Sequence, residues 1–305
     1  MRLLTYSAIF LLALAPVGAG FLGHATGPGL VHPMRLGPER LAQVKQMLHQ
    51  TGAKKQDLTV TAPDGAVLQG WTIKPLSPNG AWVLLFHGVS DNRTGVIGYA
   101  DFLLRHGFSA VMMDSRAHGE SGGDMATYGW KERYDTVAVV DALYSTQSVG
   151  RLYALGISMG AAIALQSAAV EPRIRGVVAE DPFADLREVS YDYAGLHLSP
   201  ILGKTLFRPA AIFAMEQVAK AGGFDPDEVS PEKAVAVRPF PILLICGTRD
   251  VTIPCRHAER IYQAATGPMD LWIVSGANHA SALGQAPAEY EERVIRFLNA
   301  AATGR

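Results

Sequence analysis

A chain of 305 residues, 49% hydrophobic and 18% charged, can bury one large core and falls short of two comfortable ones. Its formal charge of -1 at pH 7 supplies no basic field, which argues against nucleic acid as a partner. A charged substrate would have to be handled by local groups.

The chain opens with MRLLTYSAIFLLALAPVGAGFL: one Arg, an uncharged apolar stretch, then small residues and a Pro. Residues 1–22 therefore read as a secretory signal peptide cleaved after Ala19 or nearby, or as an N-terminal membrane anchor, since the run from Leu3 to Leu22 is long enough to span a bilayer. Both readings stay open. Both place the bulk of the protein outside the cytoplasm, because Arg2 is the only nearby charge on the retained side. Residues 23–37 are rich in Gly and Pro and read as a stalk or loose lead-in, with a helix over Pro38–Gln50. Residues 23–57 are thus expected to be linker and lead-in helix, and a chain beginning near Pro38 is expected to be soluble and fully active.

Regular patterning begins at residue 58. LTVTAPDGAVLQGWTIKP alternates apolar and polar residues about an Asp-Gly turn, which predicts a β-hairpin. Six short continuous apolar runs follow: AWVLLFHG, FSAVMMDSR, RLYALGIS, IRGVVAED, PILLICGT and DLWIVSG. Runs of this kind mark strands buried on both faces, as in a parallel sheet. Helix-length segments separate them, among them Lys131–Gln147, Ser158–Ala169, Arg256–Ala265 and Ala288–Ala300. The alternation predicts a doubly wound, mostly parallel α/β sheet of eight strands over residues 58–302. About 60 residues separate VVAED from PILLICG, too many for an ordinary crossover. They are rich in Tyr, Leu, Ile, Phe and Met and predict a small helical cap, about 183–236, over the C-terminal sheet edge where ligands of open α/β sheets bind.

One stretch within this pattern carries chemistry. Gly156-Ile157-Ser158-Met159-Gly160 fits G-x-S-x-G with a strand before it and a helix after it. The glycines clear space for a strained turn that lifts the Ser158 hydroxyl above the sheet, and the helix N-terminus behind it favours developing negative charge. A serine hydroxyl needs a base to take its proton, and the base needs an orienting acid. Asp250, just past one strand, and His279, just past the next, supply both at the same sheet edge. Asp181, past an earlier strand, is the rival for the acid.

In these blocks (LLFHGVSDNR, DSRAHGESGG, GISMGAA, GTRDVTIP and GANHAS) the chain resembles the α/β-hydrolase superfamily, in its small-cap esterase, lipase and serine-aminopeptidase-like branch, from about residue 58 to 300. The resemblance implies Ser158 as nucleophile, His279 as base and Asp250 as acid, with an oxyanion hole from the backbone N–H groups of Val89 and Met159. It implies no cofactor. The expected activity is hydrolysis of a carboxylic ester or thioester with an apolar acyl or alkyl group, through an acyl-enzyme. Amide or peptide cleavage, or a slow-turnover binding protein that keeps the three groups, are the alternatives.

The remaining polar residues have plainer expectations. His87 and Gly88 are placed at the substrate, with His87 also shaping the oxyanion loop by hydrogen bonds. Asp91 and Asn92 either order that loop or touch substrate. Asp114, Arg116 and His118 form a structural turn beneath the site. No metal is expected, since the strand-end positions of His87, His118 and His279 need none. Phe207 and Phe213 in the cap are expected to govern acyl selectivity. Cys246 and Cys255 could join in an exported chain, but without a metal-binding spacing they are expected to be small buried thiols.

Overall fold

A computed structural model describes residues 29–195, 201, 202, 205 and 207–301. The Leu3–Leu22 run lies outside the described residues. Among those described, no helix is long and apolar enough to cross a membrane.

Eight strands form one sheet: β1 Lys54–Thr61, β2 Val67–Lys74, β3 Ala81–Phe86, β4 Ser109–Met113, β5 Arg151–Ile157, β6 Ile174–Glu180, β7 Ile242–Gly247 and β8 Met269–Val274. Their order is β1-β2-β4-β3-β5-β6-β7-β8. β1 and β2 pair antiparallel about the Asp64-Gly65 turn, and β2 pairs antiparallel with β4. From β4 across β3 to β8 every pairing is parallel. The hairpin begins at Lys54, four residues ahead of the predicted boundary.

Alternation within each parallel strand explains the continuous apolar runs. On β3, Val83 and Leu85 face one layer while Trp82 and Leu84 face the other. The first layer is closed by helices α1 Leu41–Thr51, α2 Ile97–Arg105 and α10 Pro287–Ala301, with Tyr99, Phe102, Tyr290 and Leu298 against the sheet. The second is closed by α3 Glu132–Thr146 and α4 Met159–Val170, with Val140, Leu143, Ala164 and Leu165. Helix α4 has no polar face, and its residues from Met159 to Ala168 are all buried. Its Ala and Gly content lets it lie close to the strands.

Between β6 and β7 lie α5 Leu186–Gly195, α6 Arg208–Gly222 and α7 Pro231–Val237. Helices α5 and α6 form the cap, packing Leu186, Val189, Met215 and Val218 with Phe183 and Ile253. Helix α7 instead returns to the sheet layer, where Val235 packs with the α4 side of the core. The raised portion is therefore shorter than residues 183–236. Two further helices among the described residues are α8 Arg256–Ala264 and the short α9 Ala282–Gln285.

Two expectations are corrected. Cys246 and Cys255 are joined as a disulfide, nine residues apart in sequence. The chain after β7 doubles back, so the strand end meets the start of α8; spacing alone could not reveal that approach. The bridge closes the loop that carries Asp250 and Ile253. By the loop-closure argument, replacing both cysteines with Ala should lower unfolding free energy by about 2–3 kcal/mol, measured by denaturation with and without reductant.

The second correction concerns the expected stalk. Its described part, residues 29–37, is bound to the domain. Val31 is wholly buried among Phe183, Leu186, Met215 and Val218. Arg35 donates to the carbonyls of Ser121 and Gly123. A chain beginning near Pro38 would lose these contacts, so its full activity is no longer expected.

Candidate active site

The C-terminal ends of β3, β5, β6, β7 and β8 bring their loops to one edge. Ser158 stands at the β5–α4 turn with φ 55°, a left-handed conformation that a side-chain-bearing residue adopts only under constraint. The constraint comes from close packing at the flanking glycines. A Cβ on Gly156 would lie 2.2 Å from the Gly160 carbonyl oxygen, and one on Gly160 would lie 2.3 Å from that of Phe86. The motif's glycines are thus demanded by contact.

His279 joins Ser158 to Asp250. Its Nε2 lies 2.8 Å from Ser158 Oγ and its Nδ1 lies 2.7 Å from Asp250 Oδ2. With Nδ1–H donating to the carboxylate, Nε2 keeps its lone pair toward the serine hydroxyl. Asp250 is held in turn: its Oδ1 accepts from Thr252 N at 2.8 Å and Ile253 N at 2.9 Å. Burial works against a charged imidazolium, but the hydrogen bond and charge of Asp250, with the charges of Asp181 and Glu180, outweigh it. His279 therefore titrates above the ordinary histidine value.

Asp181 approaches the same ring without replacing Asp250. Its Oδ2 is 3.9 Å from His279 Nδ1 and accepts from Ala280 N at 2.7 Å, while Oδ1 accepts from Gly247 N at 3.2 Å. It ties the acid loop to the histidine loop. Burial, then the charges of Glu180 and Asp250, push its carboxyl up to about 8. Glu180 lies beneath, wholly buried and pushed up by that burial, with hydrogen bonds from Tyr99 Oη at 2.8 Å, Tyr290 Oη at 2.9 Å and Ala282 N at 2.9 Å. The sequence reading missed this network. An acidic pair ending a buried strand was its visible trace, because a buried carboxyl requires partners.

Asp181, Asp250 and His279 are also the described residues close enough together to hold a cation. Their facing atoms already hold N–H donors, which suits a proton-handling cluster better than a metal site.

A cavity of about 460 Å³ opens from Ser158, within the usual range for ligand sites. Val89, Ser90 and Met159 line it beside Ser158, with Phe183, Leu186, Val189, Tyr193, Phe207, Met215 and Val218 from the cap side. Met159 opens helix α4, so its N–H has no intrahelical acceptor. The Val89 N–H likewise has no acceptor among the described residues. Neither N–H is taken by a described acceptor.

Among the described residues, the lining contains no charged side chain. Phe207 lines the cavity as expected, whereas Phe213, half-buried on α6, does not. Four loop residues at this edge (Ser90, Ser158, Asp181 and Ala280) have positive φ, as does Tyr128 in the cavity wall. Strained backbone held by good packing is a mark of functional sites.

His87 is corrected as a substrate contact. It is wholly buried and is not among the residues that line the cavity; Nδ1 donates to Gly88 O at 2.8 Å and Nε2 accepts from Ser115 N at 3.0 Å. Burial holds it below its usual pKa, so it serves the loop as a neutral brace. Gly88 is not a cavity-lining residue either; a Cβ there would lie 3.6 Å from Ser158 Cβ, an ordinary packing contact.

Asp91 and Asn92 order their loop. Asp91 accepts from Asn92 N at 2.8 Å, and Asn92 accepts from Thr94 N at 2.9 Å. Asp114 and Arg116 are locked in buried ion pairs with Arg93 and Asp135, and His118 donates to Arg116 O at 2.8 Å.

The family model described as Serine aminopeptidase, S33 matches residues 77–214. The uncharacterized protein YqkD of Bacillus subtilis is 29% identical over 251 residues, 81% of this chain and 80% of its own. The uncharacterized protein YfhR of Escherichia coli K12 is 27% identical, with 80% of each chain covered. Among solved structures, the Pyrococcus furiosus esterase Pf2001 superposes with a TM-score of 0.71 at 25% identity, over 88% of this chain and 97% of that one. Acetyl xylan esterase 1 from Thermoanaerobacterium shares the fold, with a TM-score of 0.56 at 17% identity over 86% of this chain and 95% of that one. Sheet order, strand-end loops and relatives agree: the chain belongs to the α/β-hydrolase superfamily.

Proposed function

We propose that the protein is a serine carboxylesterase acting on esters or thioesters with an apolar acyl or alkyl group. The observation that carries this reading is the hydrogen-bonded series Asp250–His279–Ser158 ending at a cavity whose described lining is largely apolar and uncharged.

Ser158 Oγ attacks the ester carbonyl carbon while His279 Nε2 takes its proton. The C–O⁻ that forms lies toward the Val89 and Met159 N–H groups and the N-terminus of α4. Asp250 stabilises the imidazolium. Collapse breaks the bond to the leaving alkoxide, which receives the proton from His279. Water, deprotonated by the same nitrogen, then attacks the acyl-serine, releasing the acid and restoring Ser158. Every proton is carried by a group already present, so the cycle needs no cofactor.

The serine-aminopeptidase description of the matching family raises amide cleavage as a second reading. The absence of an acidic residue among the described lining weighs against holding a substrate amine. Stopped-flow assay of p-nitrophenyl acetate tests the proposal. A burst of p-nitrophenol near one equivalent per chain is expected if deacylation is the slower step; turnover of aminoacyl anilides with no turnover of esters would overturn it.

Chain-length preference follows from the cavity wall. Phe207→Ala and Met215→Ala should shift kcat/KM among acetate, butyrate and octanoate esters by about tenfold, within the range of a few methylenes' packing energy. Acetate turnover should change less. Equal loss across the series would make these residues structural supports only.

We further propose that the folded domain works outside the cytoplasm, exported or anchored by residues 1–22. The disulfide supports this, since such bonds persist mainly in oxidising compartments.

A further inference from the structure

One wall of the cavity comes from the start of the chain. Gly29, Leu30 and Pro33 line it together with Ser158. Residues 29–37 form a strap fixed along its length. Tyr128 Oη donates to Leu30 O, and Ala126 N donates to Val31 O at 2.8 Å. His32 Nδ1 donates to Asp124 O at 2.7 Å. At the far end, Asn92 Nδ2 donates to Gly37 O at 3.0 Å, joining the strap to the loop that carries Val89. The strap thus spans from the cap to the oxyanion loop.

Only residues 23–28 separate this wall from the apolar Leu3–Leu22 run. Six residues reach at most about 20 Å even when fully extended. A run of that length and composition matches the hydrocarbon thickness of a bilayer. Segments that supply lining residues also carry exposed apolar side chains. Met34, 69% exposed, follows Pro33, and Val251, 64% exposed, lies two residues before the lining residue Ile253; Tyr193 both lines the cavity and is 39% exposed. Large apolar groups gathered on the segments around one opening favour contact with an apolar phase over water.

We propose that the strap holds the cavity mouth at a bilayer surface, and that the substrates are long-chain acyl esters resident in that membrane. The proposal rests on the hydrolase and anchor readings above. Such an ester would pass its acyl chain between the strap and the cap to Ser158 without crossing bulk water, where long chains are scarcely soluble.

The test uses the full chain reconstituted in phosphatidylcholine vesicles. Turnover is measured on p-nitrophenyl laurate dissolved in the bilayer and on p-nitrophenyl acetate in the water. A variant with a 20-residue proline-rich spacer between Ala25 and Thr26 moves the cavity up to about 60 Å further away. The spacer should lower laurate turnover at least ~10-fold by cutting the local concentration of membrane substrate, with acetate turnover unchanged. Unchanged turnover of both esters, or an equal fall in both, would overturn the proposal, as would failure of the chain to co-float with vesicles. An unmodified chain that hydrolyses neither ester would instead overturn the hydrolase reading itself.

Discussion

Ser158→Ala should lower kcat/KM for p-nitrophenyl acetate by on the order of 10⁴-fold or more while leaving the fold intact. The fold should survive because Ala keeps the Cβ, so the φ 55° strain at the turn is the same in both proteins. The variant loses one hydroxyl and its hydrogen bond to His279, worth about 1 kcal/mol of stability. What it loses in catalysis is the atom that forms the acyl bond. Some acceleration over water should persist, because the cavity and the Val89 and Met159 N–H groups remain. Circular dichroism and a melting curve establish that the variant is folded. Undiminished turnover in a folded Ser158→Ala protein would remove the nucleophile from this account.

Asp250→Asn should cost roughly 10⁴-fold, and Asp181→Asn within about tenfold. Asp250 is the partner that fixes the His279 tautomer, at 2.7 Å from Nδ1. An amide there can present N–H to the ring and stabilise the tautomer with its proton on Nε2, which cannot accept from Ser158. Asp181 stands 3.9 Å from Nδ1, beyond hydrogen-bond distance, and its oxygens brace the Gly247 and Ala280 backbone, so Asn, close to it in shape, leaves the ring's own partner in place. The tenfold allowance covers one of the two bonds to Gly247 N and Ala280 N, because the amide oxygen accepts from one while its nitrogen faces the other.

The pH profile separates the two substitutions further. The base must be neutral, so kcat/KM should fall as pH drops through the His279 pKa, which lies above the usual histidine value. Removing the Asp250 charge removes stabilisation of the imidazolium, so the acid limb should move to lower pH in the residual activity. A larger loss at position 181 than at 250 would transfer the orienting role to the earlier strand.

The parallel strands were legible because burial on both faces leaves runs such as AWVLLF with no polar alternation to confuse the reading. Ser158, Asp250 and His279 were legible for a related reason. Each stands just past such a run, and strand ends in a parallel sheet share one edge. The positions that were misread depend on where the chain travels next. Nothing local in Cys246 or Cys255 shows that the β7–α8 loop returns on itself. Likewise Leu30 and Pro33 lie in a Gly- and Pro-rich segment whose contacts, with Ala126 and Tyr128, are more than ninety residues away. His87 was misplaced at the substrate because sequence shows its nearness to the oxyanion loop but not that both ring nitrogens are taken. The cap is the extreme case. Its helices could be expected from composition, but which side chains face the cavity depends on helix rotation, and Phe207 and Phe213 fall on different sides of that distinction.

The central claim is that Ser158, activated by His279, forms a covalent acyl-enzyme. It is tested most directly by treating the full chain with a fluorophosphonate, digesting it and locating the adduct by mass spectrometry. One adduct per chain is expected, on the peptide containing Ser158, formed in step with loss of esterase activity and absent from the Ser158→Ala protein. Inactivation with the adduct on another residue, or esterase activity that survives complete modification of Ser158, would contradict the account.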